Sequence, residues 1–444
     1  MKTTKLFFMA ALALMTAACS NDDNDLTKQP AKAEGIPFTA TISVGESGTT
    51  RALSESGSTL VATWATGEKV ALIYTVSATT YVKEAEVTPQ GDGTATISTT
   101  LEGSPADDTD VTIVYPASAV DGTTKDVKTD LLASQNGLLT GTGSIAEKYE
   151  LRKTTTPAKL KIDGTTASLK GTVSLTNQNA IFKLTLKDID GTNDVSATSV
   201  VISDQTGVVT TVTPAPATNV MYVALPTTAT TLKFLVTGSD SKKYFNMASS
   251  LTLSASYYQS TVKLATVGDV ILSTGKCAKA GTSGAVAKIC YLGDETGESA
   301  YNYTNGLALA LSDANSGSTC NWKTSDTDAG HTKQGSSTFT EESGLQYNDA
   351  THNSDTYPAF KAAIANNGTT APTGCSSWFL ASGYQWQKMI STAGLSNLGL
   401  TESTNYWSST ENSANKTWLF KSSNGSWSYR SKSLNYPVRA CLAF

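Results

Sequence analysis

"IFKLTLK", residues 181–187, sets Phe182, Leu184 and Leu186 against Lys183, Thr185 and Lys187 in strict alternation. A period of two belongs to a strand with one buried and one wet face; a helix repeats every 3.6 residues instead. The signature spreads outward in both directions. "FTATISV" (38–44), "KVALIYTV" (69–76), "DVTIVY" (110–115), "SVVISD" (199–204), "VMYVALP" (220–226) and "LKFLVTG" (232–238) follow the same grammar. Turn clusters such as "DGTTKD" (121–126) and "TGSDSK" (237–242) punctuate them at the spacing of β-sandwiches. The pattern predicts a mainly β protein with two tandem antiparallel β-sandwich domains, residues 37–160 and 161–265.

From "VGDVILSTGKCAKA" (267–280) onward the character changes. "NGLALALSDA" (305–314), "YPAFKAAIAN" (357–366) and "YQWQKMISTAGL" (384–395) carry apolar-periodic runs that each predict a short helix. Six of the seven tryptophans and both histidines fall here. Residues 266–444 are read as a separate α+β domain. A length of 444 residues suits several domains. The charged fraction is low at 16%, and the net charge of −5 is dispersed without a basic block. Nucleic acid is therefore excluded as an expected partner, because neutralising phosphates needs clustered Lys and Arg.

The beginning, "MKTTKLFFMAALALMTAACSNDDND", has a basic start at Lys2 and Lys5 and an apolar core over residues 6–15, too short to span a bilayer. Ala17 and Ala18 precede Cys19. This resembles the lipobox of bacterial lipoproteins, with Thr16 where Leu is usual. The resemblance implies a signal peptide over 1–18, acylation of Cys19 and an outer-membrane anchor. Asp22, Asp23 and Asp25 resemble a surface-export signal of Bacteroidetes lipoproteins and also read as part of a solvated tether over 19–36. Export to an oxidising compartment makes Cys277, Cys290, Cys320, Cys375 and Cys441 candidates for disulfides, with pairing open and one thiol left over. None has metal-ligand spacing.

Two family resemblances follow. "TRALSESG" (50–57), "ATWATGEKVALIY" (62–74), "DVTIVYPAS" (110–118) and "NQNAIFKLTLKDI" (177–189) resemble, in that order, the fimbrillin-like (Mfa-like) pilus subunits of Bacteroidetes. That family implies assembly by strand exchange. An Arg-specific protease removes the first strand, and a donor strand from another subunit fills the groove. Arg51–Ala52 is the candidate cut, in a polar stretch suited to an exposed loop; Arg51 also reads as an ordinary solvated residue. "GCSSWFLASGYQWQKM" (374–389), "YWSSTE" (406–411), "KTWLF" (416–420) and "NYPVRACLAF" (435–444) resemble the Fibrobacter succinogenes major-paralogue and DUF1566-type domains, which look C-type-lectin-like in fold. The "WFLASGYQW" segment departs from that pattern by lacking its Pro and Glu.

Trp378, Trp386, Trp407 and Trp418 are expected in the core of that domain. Trp427, Tyr429 and Arg430 lie around an "NG" hairpin and are candidates for stacking on a glycan or anchoring a host-surface protein; packing on a neighbouring loop is the other reading of Trp427. No nucleophile–base pair, metal motif or phosphate loop is present, and Asp326 and Asp328 lack the following acidic ligand of a calcium loop. The expectation is a non-enzymatic adhesive subunit without cofactor or metal. The alternative is a lipid-anchored surface receptor that never polymerises.

Overall fold

The computed structural model describes residues 35–43, 53–57, 59–61, 63–91, 93–248, 251–340 and 343–444. Strands β1 (Ile36–Ser43), β2 (Lys69–Val76), β3 (Thr79–Pro89), β4 (Thr94–Leu101), β5 (Asp110–Tyr115), β6 (Ala158–Asp163) and β7 (Thr166–Leu169) belong to one sheet in the order β6-β7-β1-β4-β3-β2-β5. β5 pairs back onto β6 through Val111 and Ala158, so the ladder closes on itself. Closure leaves no free edge among these strands, the usual hazard of an all-β fold. Inside lie Phe38, Leu72, Ile97, Val111, Ile113 and Leu160, with Trp64 set edge-on to Tyr115 at 5.4 Å. Residue 160 falls within β6, and the sheet runs on through Thr176–Asn177.

The next unit stacks two sheets. β8 (Asn179–Asp188) is the middle of a three-stranded sheet, antiparallel to β11 (Val220–Pro226) and parallel to β14 (Tyr257–Leu264). Facing it are β9 (Ala197–Ser203), β10 (Val208–Val212), β12 (Leu232–Gly238) and β13 (Lys243–Ala248), in the order β13-β12-β9-β10. The opening alternation is realised in β8: Phe182, Leu184 and Leu186 are buried, and Lys183, Thr185 and Lys187 are half-exposed. Ser134–Gln135, from earlier in the chain, extends the second sheet beside β10. The Gln135 carboxamide donates to the Ala224 carbonyl at 2.7 Å and accepts from its amide at 2.9 Å, so a side chain satisfies the edge of β11.

The last unit contains β15 (Val270–Leu272), β16 (Ala285–Leu292), β17 (Gly306–Ala310), α1 (Pro358–Ala365), β18 (Phe379–Leu380), α2 (Gly383–Ala393), β19 (Asn405–Ser413), β20 (Lys416–Lys421), β21 (Trp427–Ser431) and β22 (Ala440–Ala443). Helices form where expected at α1 and α2. α2 opens on a capping box in which Ser382 and Gln385 satisfy each other's backbone amides. The third expected helix is the strand β17. Leu307 and Leu309 enter one core while Ala308 and Ala310 enter the other. A central strand covered on both faces reads as a continuous apolar run, which periodicity alone does not separate from a buried helix. Trp378, Trp386, Trp407 and Trp418 are buried as expected. Phe245 of β13 packs on Phe444 at 4.5 Å, joining this unit to the one before it in a shared core.

Candidate functional site

β1 is the element whose placement bears most on function. All eight of its residues pair antiparallel with β4, from Ile36 opposite Leu101 to Ser43 opposite Thr94. On its other flank Phe38 pairs parallel with Ala167, and Ile42 with Val173. Phe38, Ala40 and Ile42 are 1%, 8% and 0% exposed, while Pro37, Thr39 and Thr41 face solvent. Burying a Phe or Ile side chain contributes about 1.5–3 kcal/mol each. Without β1, the first core would open as an apolar slot flanked by unpaired backbone groups. Cys19, Arg51 and Ala52 lie outside the described residues.

At Leu53 the chain is immediately tied to the second unit. Leu53 is 2% exposed and packs with Ile145, Tyr149, Ile181 and Ala224. Ser54–Ser56 and Thr59–Val61 form a small hairpin. Glu55 in it receives Lys183 Nζ at 2.7 and 2.9 Å, together with the Tyr257 hydroxyl. Gln259 Nε2 donates to the Gly57 carbonyl at 2.9 Å. The Lys183 ammonium, then the Tyr257 hydroxyl, hold the Glu55 carboxyl below its ordinary value. The wet face of β8 is thus where the segment after Ala52 docks.

In the last unit, Trp427 is half-buried, with its ring against Phe339 at 4.5 Å and Phe420 at 5.9 Å. Tyr429 is 44% exposed. Its ring meets Trp418 edge-on at 5.3 Å and lies under the Lys416 ammonium at 5.1 Å. Strand alternation sends Arg430 to the opposite face from Trp427 and Tyr429. It is exposed, and its guanidinium donates to the Tyr429 carbonyl at 2.9 Å. The structure therefore groups Tyr429 with Trp418 and Lys416, not with Arg430.

Cys277, Cys290, Cys320, Cys375 and Cys441 carry free thiols in this structure. Cys441 lies opposite Leu309 and Phe379, inside the sheet. Burial pushes the Cys290 and Cys375 thiols up to about 12 and Cys320 up to about 11. Groups so far from thiolate form are poor nucleophiles.

Sequence reasoning missed a buried polar cluster. His331 and His352 read as loop residues, yet they are 6% and 7% exposed with their Nε2 atoms 2.8 Å apart. His352 Nδ1 sits 2.8 Å from Asp349 Oδ1, and the His331 ring stacks on Tyr347 at 3.7 Å. Burial, then the neighbouring His352, depresses His331 to about 3. Beside it, fully buried Lys432 and Glu411 form an ion pair. Glu411 also accepts the backbone amides of Ala329 and His331, each at 3.2 Å. Glu298 accepts from the amides of Gly344 and Leu345 and from Gln385 at 2.9, 3.0 and 2.6 Å. Asp326 accepts from Ser431 and the Ser433 amide, and Asp328 pairs with Lys333 at 2.8 Å. Together these groups pin the long irregular stretch between residues 321 and 357 to its sheets. Apart from the local pairs Asp349–His352 and Asp328–Lys333, the partners come from distant segments, so little in the local sequence signals them. Among the described residues no three His, Cys, Asp or Glu side chains gather as a metal site, and no helix is long and apolar enough to cross a membrane.

No family model and no curated protein matches the chain. Among solved structures it is similar to a fimbrial protein from Bacteroides ovatus, 13% identical, over 93% of this chain and 99% of that one, with a TM-score of 0.33. It is also similar to a candidate cell adhesion protein from Bacteroides ovatus, 12% identical over 52% of this chain and 95% of that one, TM-score 0.33. A candidate cell adhesion protein from Bacteroides uniformis is 16% identical over 53% and 94%, TM-score 0.29. At these TM-scores the likeness is loose, and the strand pairings above stand on their own.

Proposed function

We propose that this chain is a structural and adhesive pilus subunit, in a tip or accessory position, assembled by protease-assisted strand exchange. In this reading the precursor is held at the outer membrane by acylated Cys19 and reaches the surface. Cutting at Arg51–Ala52 then frees β1, and a donor strand from another fimbrial subunit takes its place. Residues 266–444 are presented outward as a lectin-like domain for a glycan or a host-surface protein.

The observation that carries the reading is the position of β1. It is a single short strand, paired on both flanks, that fills the first core with alternate residues. It ends at Ser43, eight residues before Arg51, and Leu53 just past the cut is anchored elsewhere. Among the described residues, losing 1–51 therefore removes one strand, β1, while Leu53 keeps the following hairpin tied to the second unit. β22 is paired on both sides and Phe444 is fully buried, so that strand is part of the last unit's own sheet.

The test is the N-terminus of the mature protein taken from the cell surface, read by mass spectrometry. The expected start is Ala52, and Arg51→Ala should keep the precursor uncut and unpolymerised. Lipidated Cys19 on every molecule, with Arg51 intact, would leave a non-polymerising anchored receptor instead.

A further inference from the structure

The side-chain sizes along β1 and its neighbours interlock. Directly opposed residues on paired strands share a face, with Cβ atoms roughly 4.5–5.5 Å apart. Along the buried face Phe38 lies opposite Thr99, Ala40 opposite Ile97 and Ile42 opposite Ala95. Each pair sets a large group against a small one. The parallel flank repeats the rule at Phe38, which meets Ala167 there, so the aromatic ring is bracketed by two small side chains. Ile42 is bracketed by Ala95 and Val173. Ala40 is where the facing strand supplies the bulk, with Ile97 fully buried.

We propose that the groove vacated by β1 selects its incoming strand by size. It takes a strand of a second pilus-subunit chain with an aromatic residue opposite Thr99, a small one opposite Ile97 and a branched one opposite Ala95. The strand runs antiparallel to β4 and parallel to β7. This rests on the strand-exchange reading above and adds which strands are accepted. Ile97 is the discriminating residue: a branched side chain opposite it overfills a packed interior, whereas the outward positions of Pro37, Thr39 and Thr41 are open to solvent and tolerate change. The occupant is inferred from β1 itself, the strand that now fits the slot.

The experiment uses the full chain cut by an Arg-specific protease, with departure of residues 1–51 read first by size exclusion and mass. A fluorescent peptide of residues 36–43 is then titrated beside the same peptide carrying Ala40→Ile. The native peptide should bind, and the altered one should bind about ten- to a hundredfold more weakly, the range that overpacking a core produces. An Ile97→Ala chain, first shown by melting to be folded before cutting, should recover most of that loss. Equal binding of the two peptides would overturn size selection. No binding of either peptide by chain that has lost 1–51 would overturn the groove as a docking site. Retention of 1–51 after complete cutting would defeat strand exchange itself, and the size rule with it.

Discussion

His331 is a base kept neutral in a place where protonation is costly. Around it stand His352, the Lys432 ammonium, the Ser409 carbonyl and the rings of Tyr347 and Trp322, with Asp349 reaching it only through His352. Its value of about 3 lies below the ordinary 6.5, so the unfolded chain takes up this proton first as pH falls. The stability it contributes is intact above pH 6.5 and is lost as pH falls toward 3, at up to about 1.4 kcal/mol per pH unit. Melting the full chain at pH 7 and pH 4 should give a lower Tm at pH 4, with a smaller drop in His331→Phe. Equal drops in the two proteins would mean that His331 does not titrate as the fold comes apart. No local pattern warns of this, since the two histidines are 21 positions apart and are covered by Phe360, Tyr357 and Trp322.

Between residues and units stand the small elements that decide where a cut does harm. The hairpin after Leu53 is fastened by Glu55 to Lys183, a pair whose side chains are 25% and 28% exposed. Such pairs couple by about 1 kcal/mol or less, so a double-mutant cycle of Glu55→Ala and Lys183→Ala should give a coupling of that order in the uncut chain. A coupling indistinguishable from zero would leave the hairpin held by Leu53 and by the hydrogen bonds from Tyr257 and Gln259. Lys183 was legible as an outward residue of its strand; Glu55, in a run of polar residues, was legible only as loop. Strands with one wet face were the easiest to read, as in β1 and β8. β17 was misread because both of its faces are covered, which removes the alternation that marks a strand.

At the scale of the molecule, the mainly β character of the described residues up to 265 and the change after them were written in local patterns. Closure of the first sheet was not. It depends on β5 meeting β6, elements more than 40 residues apart in sequence, through a few paired residues. Closure has a mechanical side. β1 lies inside the ladder with hydrogen bonds on both flanks, running across the strand direction. A strand seated in that slot and pulled along its own length loads its rungs together, in shear, whereas a strand peeled from an open edge surrenders them one at a time. Force spectroscopy on a strand-exchanged pair, pulled through the donor, should therefore record a single abrupt rupture, and a staircase of small releases would argue against this geometry. Under the proposed strand exchange, a joint between two subunits would give way all at once or not at all.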